Sequence, residues 1–224
     1  MGLRLPLFCL SSVLFPGMRL PLHVFEDRYR RLVSDTLAAP EPQRCFGIVA
    51  IREGYEVGAR GVQSAHRIGC EAQITVCEGL PDGRFDVEVA GVRRFRVTAL
   101  DTTGPYLVGD VGYLDERQGE QPAVAAAAAA AAFEAYRREL SRHRGGRIGE
   151  LVTAELPHDP VQLSYFLAST TLLTLPERQA LLEAPDAATR LRRVIHALRI
   201  EQSAMQAVPS LPATEVARTA WSPN

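Results

Sequence analysis

The chain has 224 residues, 46% of them hydrophobic and 23% charged, with a formal net charge of −1. That length can enclose a substantial core, and the composition is that of an ordinary globular protein rather than a disordered or disulfide-stapled one. A charge balance this close to zero supplies no overall field drawing the protein to nucleic acid or an anionic bilayer, and no apolar run approaches the roughly 18 residues of a membrane helix.

All 25 basic residues are arginine; the sequence contains no lysine. Lysine is the side chain whose charge can be tuned for base or Schiff-base chemistry, whereas arginine stays protonated. A Ser–Lys dyad and a standard phosphate-binding P-loop are therefore excluded from these residues.

At the N-terminus a single charge, Arg4, is followed by Pro6 and Pro16, which interrupt what would be the apolar segment of a signal peptide. A cytoplasmic protein is expected. Pro16-Gly17 reads as a turn after Val13-Leu14-Phe15, and Leu20 to Val24 as a short extended segment. Helical spacing begins at Phe25, with Phe25, Tyr29, Leu32, Val33 and Leu37 on one face. Cys45 to Ile51 is the near-continuous apolar run of a strand buried on both sides. In Cys70 to Cys77 the alternation puts Cys70, Ala72, Ile74 and Val76 on one face and Cys77 on the other. Pro81-Asp82-Gly83 turns the chain into Phe85, Val87 and Val89; Gly91 marks a bend or bulge, and Phe95, Val97, Leu107, Val111 and Tyr113 continue the pattern. Short strands joined by turns around one inserted helix predict a closed or nearly closed barrel over residues 1–118.

From 119 the character is helical. The alanine run Ala125–Ala132 has the highest helix propensity available and leads into a helix expected to stop at Gly145-Gly146. Asp159-Pro160 and Asp186 are helix caps, and Thr174 with Glu177 forms a capping box. In the last helix Leu191, Val194, Ile195 and Leu198 make an apolar stripe, with Arg190, Arg192, Arg193 and Arg199 expected on the solvent side. A helical subdomain over 119–205 and a disordered tail over 206–224 complete the organisation, giving an α+β fold class.

Chemistry-bearing constellations are scarce. There is no GxGxxG, GxSxG or HExxH motif, and the four cysteines (Cys9, Cys45, Cys70, Cys77) form no CxxC pair. Strand parity separates Cys70 from Cys77 unless a bulge intervenes, so no metal is expected. His143 and His196 fall on polar helix faces, His158 precedes a cap, His66 lies in a polar segment, and His23 reads as a hydrogen-bonded structural residue. Arg28, Arg30 and Arg31, and Arg93, Arg94 and Arg96, form basic clusters that nearby acids partly neutralise.

The opening residues Leu5-Pro6-Leu7-Phe8, Val13-Leu14-Phe15-Pro16-Gly17 and Leu20-Pro21-Leu22-His23-Val24-Phe25-Glu26-Asp27-Arg28-Tyr29-Arg30 closely resemble the start of the N-terminal domain of Lon proteases. Ile68-Gly69-Cys70-Glu71-Ala72, Gly91-Val92-Arg93-Arg94-Phe95-Arg96-Val97, Asp159-Pro160 and Glu177 to Glu183 follow in the family's order, so the resemblance spans roughly residues 3–203. Cys9 departs from it, standing where the family often has proline. The resemblance implies a PUA-like β-barrel followed by a C-terminal α-helical bundle, a domain that captures polypeptide substrates and supports assembly. It also implies that the ATPase and protease modules lie beyond a chain such as this one.

The expected function is a non-catalytic binding module without cofactor or metal. Its partners would be unfolded or partner polypeptides, with self-association a further possibility and no membrane involved. Leu14, Phe15, Pro16 and Met18 are read as a partly exposed apolar patch. His23, Phe25, Glu26, Arg28 and Tyr29 are read first as scaffold and then as binding surface. RNA binding through Arg93, Arg94 and Arg96 is the alternative, and a cysteine- or histidine-based hydrolase is a third reading that lacks an activated thiol.

Overall fold

Leu5, Leu7 and Cys9 alternate with Pro6, Phe8 and Leu10 along the first strand, and both sets are apolar enough to be buried. A computed structural model describes residues 3–41, 43–54, 62–143 and 155–207. The described chain falls into two units, one ending at Asp115 and the other beginning at Glu116.

The first unit contains β1 (Leu3–Leu10), β2 (Arg19–Val24), α1 (Asp27–Leu37), β3 (Cys45–Gly54), β4 (Val62–Ala65), β5 (Ile68–Gly79), β6 (Phe85–Asp101) and β7 (Val108–Tyr113). The strands form one sheet in the order β1-β7-β6-β5-β3-β4, with β2 added to β6. Strand β1 runs antiparallel to β7 through Leu3–Pro6 and parallel to β3 through Leu7–Leu10, so the ladder returns to its start. Two apolar clusters result. Leu5, Leu7, Cys9, Val49, Ile51, Phe95, Val97 and Val111 form one. Phe8, Leu10, Phe46 and Ile48, on the opposite parity of the same strands, form the other with Tyr29, Leu32 and Val33 of α1. A strand apolar at every position is thus explained by two cores, one on each side.

Two expectations about alternation need correction. Cys70, Ala72 and Ile74 do share a core, but the β5–β6 register shifts between Ile74 and Val76. Val76 is 58% exposed, and Cys77 packs against the same core as Cys70. A bulge reverses side-chain parity beyond it, which no hydropathy pattern announces. Phe25 is not on the helix either: Glu26 is the N-cap, with extended dihedrals of −68° and 137°, and the buried helical positions are Tyr29, Leu32, Val33 and Thr36.

The second unit holds α2 (Pro122–His143), α3 (Pro160–Thr170), α4 (Leu175–Leu182) and α5 (Ala187–Ala207). In α2 the buried residues Ala125, Ala129, Phe133, Tyr136 and Leu140 recur at helical spacing. Helix α5 contacts α2, α3 and α4. The caps are as expected: Asp159 accepts from the Gln162 N–H at 2.9 Å, Asp186 from Thr189 N–H at 2.7 Å, and Glu177 from Thr174 N–H at 2.8 Å. Helix α5 runs on to Ala207, past the start assumed for the tail. Gly145-Gly146 and the sequence from Val208 lie outside the described residues. Arg190 contradicts its assignment to solvent, being 0% exposed. It sits three residues after Ala187 and four before Val194, on the buried stripe itself, and its charge is satisfied there as described below.

Candidate functional site

The opening motif builds a support rather than a patch. Leu14 and Phe15 are 1% and 0% exposed, so they belong to the core and not to a sticky surface. Met18 packs against that core as well, and Pro16 keeps only partial exposure. The turn is drawn inward because Gly17 N–H donates to the Gly91 carbonyl and Gly91 N–H to the Met18 carbonyl, each at 2.8 Å, with Gly17 at φ +79°.

Tyr29 is the pin of α1. Its ring stacks on Phe8 at 3.8 Å, and its hydroxyl accepts from Cys9 N–H and donates to the Cys9 carbonyl, each at 3.2 Å. Burial raises its hydroxyl well above the usual phenol range. The Arg28 guanidinium lies 4.5 Å from the Tyr29 ring centroid and donates to Glu26 at 3.1 Å, while Arg30 donates to the Gly83 carbonyl at 2.7 Å. His23 Nδ1 meets Asp86 at 2.6 Å and Nε2 meets Arg84 Nη1 at 3.0 Å. A guanidinium only donates, so Nε2 accepts and Nδ1–H donates to Asp86. The structure therefore brings His23, Phe25, Glu26, Arg28 and Tyr29 together, the polar ones among them in hydrogen bonds to one another or to neighbouring strands.

The thiols are quiet. Burial pushes Cys9 up to about 11, against the opposing pull of Arg28 and of the hydrogen bond from Tyr29. Cys45 and Cys77 are also raised, by burial first and, at Cys45, by Glu71 as well. A raised thiol carries less thiolate at neutral pH, the opposite of an activated nucleophile. At pH 8 an aromatic disulfide reagent is expected to label Cys45 and Cys77 more slowly than free glutathione, and buried Cys9 and Cys70 only as fast as the fold opens. One burst-labelled cysteine would contradict this. Among the described residues no three His, Cys, Asp or Glu side chains are placed to hold a metal ion, and no helix is long and apolar enough to cross a membrane.

The Arg93–Arg96 cluster is also rearranged by folding. Arg94 is 2% exposed, and Arg93 donates to the buried Glu71 at 2.7 Å while lying 3.3 Å from the Tyr113 centroid. Tyr113 donates to the other Glu71 oxygen at 2.9 Å, and its hydroxyl is held up to about 12 by burial and then by this bond. Arg94 is therefore withdrawn from the surface, while Arg93, paired with Glu71, and Arg96 stay exposed on it.

The feature that sequence reasoning missed lies in the second unit. Helices α4 and α5 border a groove of about 500 Å³, with Leu181, Ala197 and Ile200 among its apolar lining and Arg192, Arg193 and His196 among its polar lining. Ile200 is 55% exposed. On α5 the groove-lining positions Thr189, Arg192, Arg193, His196, Ala197 and Ile200 recur at three and four residues, next to the buried stripe. The signal was thus present in the spacing, but charged residues at those positions read as an ordinary solvated face. Arg193 donates to the Ala180 carbonyl at 2.6 Å, fastening one helix to the other beside the groove.

Residues 4–199 match the family described as the ATP-dependent protease La (LON) substrate-binding domain. The chain belongs to this family. Among proteins, it is 28% identical over 196 residues to Lon protease 2 of Syntrophobacter fumaroxidans, covering 82% of this chain and 22% of that protein. It is 28% identical over 199 residues to the Lon protease of Escherichia coli K12, covering 87% of this chain and 24% of that one. The chain thus spans about a quarter of the length of these relatives. Among solved structures, the Lon N-terminal domain protein from Xanthomonas campestris superposes with a TM-score of 0.59 at 26% identity, covering 87% of this chain and 98% of that one. The N-terminal domain of the Mycobacterium avium complex Lon protease gives a TM-score of 0.66 at 21% identity, covering 88% and 98%, a likeness of fold. The α+β fold is therefore that of Lon N-terminal domains, and the matched region is the substrate-binding domain.

Proposed function

We propose that this chain is a non-catalytic polypeptide-binding module of the Lon substrate-binding type, built as a PUA-like barrel and a helical bundle and working in the cytoplasm. The observation that carries the reading is the α4–α5 groove, an apolar trough with Ile200 half open to water, in a chain whose family is defined by substrate binding. Exposed apolar surface at a concave site is where an unfolded chain gains most from losing water. The partly exposed Pro16, Met18, Phe25, Glu26 and Arg28 are a second surface for the same role, with Leu14, Phe15 and Tyr29 as the support beneath them.

The test is fluorescence anisotropy of a dye-labelled, permanently unfolded protein such as reduced, carboxymethylated lactalbumin, titrated with this chain. Wild type is expected to bind, and Ile200→Asp, at an exposed position that leaves the fold intact, to bind several-fold more weakly. Phe15 is unsuitable for such a probe because its replacement empties the core. Absence of binding by wild type at any accessible concentration would refute the proposal.

A further inference from the structure

We propose that the α4–α5 groove selects one kind of segment: a short apolar stretch carrying a carboxylate at one end and a cation at the other. This rests on the polypeptide-binding reading and specifies its ligand.

The groove is electrically polar along its length. Contacts between α4 and α5 run in antiparallel order: Arg190 donates to the Leu181 carbonyl at 3.0 Å and Arg193 to the Ala180 carbonyl at 2.6 Å, while Glu177 and Glu201 feel one another farther along. Of the groove's lining, the basic pair Arg192 and Arg193 therefore falls toward one end and Glu177, near the start of α4, toward the other. Among the described residues neither arginine of the pair is in a salt bridge. Arg192 donates to the Thr189 hydroxyl at 3.3 Å, and Asp186, whose carboxyl it helps to hold low, accepts from the Thr189 N–H. At the far end Glu177 spends one carboxylate oxygen on Thr174. The Glu201 carboxyl, next to Ile200 on α5, is raised by burial first and then by the negative charge of Glu177. Leu181, Ala197 and Ile200 form the apolar floor between the two ends.

From Thr189 to Ile200 the trough follows α5 for roughly 16 Å at 1.5 Å per residue. That is room for about five residues of extended chain at 3.3 Å each. An apolar ligand lacking charge would leave both ends unused. A uniformly acidic or uniformly basic one would meet repulsion at one end.

Three dye-labelled peptides distinguish these cases, EELLALLRR, EELLALLEE and RRLLALLRR, titrated against the full chain by anisotropy. The mixed peptide is expected to bind about fivefold more tightly than either of the others, the scale of two exposed ion pairs, and the preference to fade in 0.5 M salt. Arg192→Glu with Arg193→Glu is expected to move the preference to RRLLALLRR. Arg192→Glu alone, which gives up the bond to Thr189 and the field on Asp186, should weaken the preference for the mixed peptide with helical content unchanged. Equal binding of the three peptides, failure of all three while unfolded lactalbumin still binds, or a preference unmoved by the variants would overturn the inference and leave polypeptide binding standing. Failure of peptides and unfolded protein alike would remove both. Displacement of the bound peptide by a uridine dodecamer would overturn it in favour of a nucleic-acid site.

Discussion

Replacing Arg190 with alanine is expected to cost the helical unit about 3 kcal/mol, lowering its melting temperature by roughly 12–20 °C for a unit of this size. The side chain is fully buried and makes four kinds of contact. Its Nε donates to the Leu181 carbonyl at 3.0 Å, its Nη1 to Ser164 Oγ at 2.7 Å, its guanidinium lies 3.9 Å from the Tyr165 centroid, and Nη2 stands 3.8 Å from Glu116. Tyr165 in turn donates to Glu116 at 2.6 Å, so the arginine holds together α3, α4, α5 and the segment preceding α2. Alanine would leave a cavity of most of a side chain and remove the counter-charge from a partly buried carboxylate. Glu116 keeps some access to water, which places the cost toward the low end of the range for broken buried pairs. Methionine separates the contributions. Ser164 already donates to Val161 and the Leu181 carbonyl still accepts from Ala184 N–H at 3.2 Å, so Arg190→Met, which keeps the volume, should cost about half as much. Urea unfolding followed by far-ultraviolet circular dichroism measures both, and a loss under about 1 kcal/mol for alanine would show that the network is ornamental.

The parts of this protein legible in its sequence are those decided within a few residues. The caps at Asp159, Thr174 and Asp186 depend on a side chain reaching a backbone N–H three positions on, and the two-sided burial of β3 is written in its unbroken apolar run. What escaped depends on distant partners. Arg190 has the spacing of a core residue and the identity of a surface one; only Ser164, Tyr165 and Glu116, 26, 25 and 74 positions away, decide between them. The bulge that exposes Val76 is set by pairing with β6, not by anything in β5. The same holds for the binding surface. The motif that announces the family, Leu14 to Tyr29, turned out to be mostly framework, because the residues that make a fold recognisable are those that pack. The groove on α4 and α5 is lined by ordinary charged and aliphatic residues and becomes visible only once the two helices lie side by side.

The second large effect is expected at Gly91, where Gly91→Ala should destabilise the β-rich unit by about 3 kcal/mol or more. A Cβ there would stand 2.1 Å from the Phe15 carbonyl oxygen, 2.9 Å from its carbonyl carbon and 3.2 Å from Leu14 Cγ. A Cβ has no rotamer through which to escape, and the atoms it strikes are backbone. The Leu14–Met18 turn would have to move away from β6. It is held there by the Gly17–Gly91 and Gly91–Met18 hydrogen bonds, so relief of the clash breaks both, at roughly 1 kcal/mol each, and withdraws Leu14 and Phe15 from the core. The internal control is Gly112→Ala on β7, where an added Cβ meets nothing within 4 Å; it should change stability by less than about 0.5 kcal/mol or raise it slightly through the lower entropy of the unfolded chain. Equal urea midpoints for the two alanine variants would mean that β6 and the turn do not approach as closely as described. A loss confined to Gly91→Ala would instead identify that glycine as the reason the Pro16-Gly17 turn is folded inward.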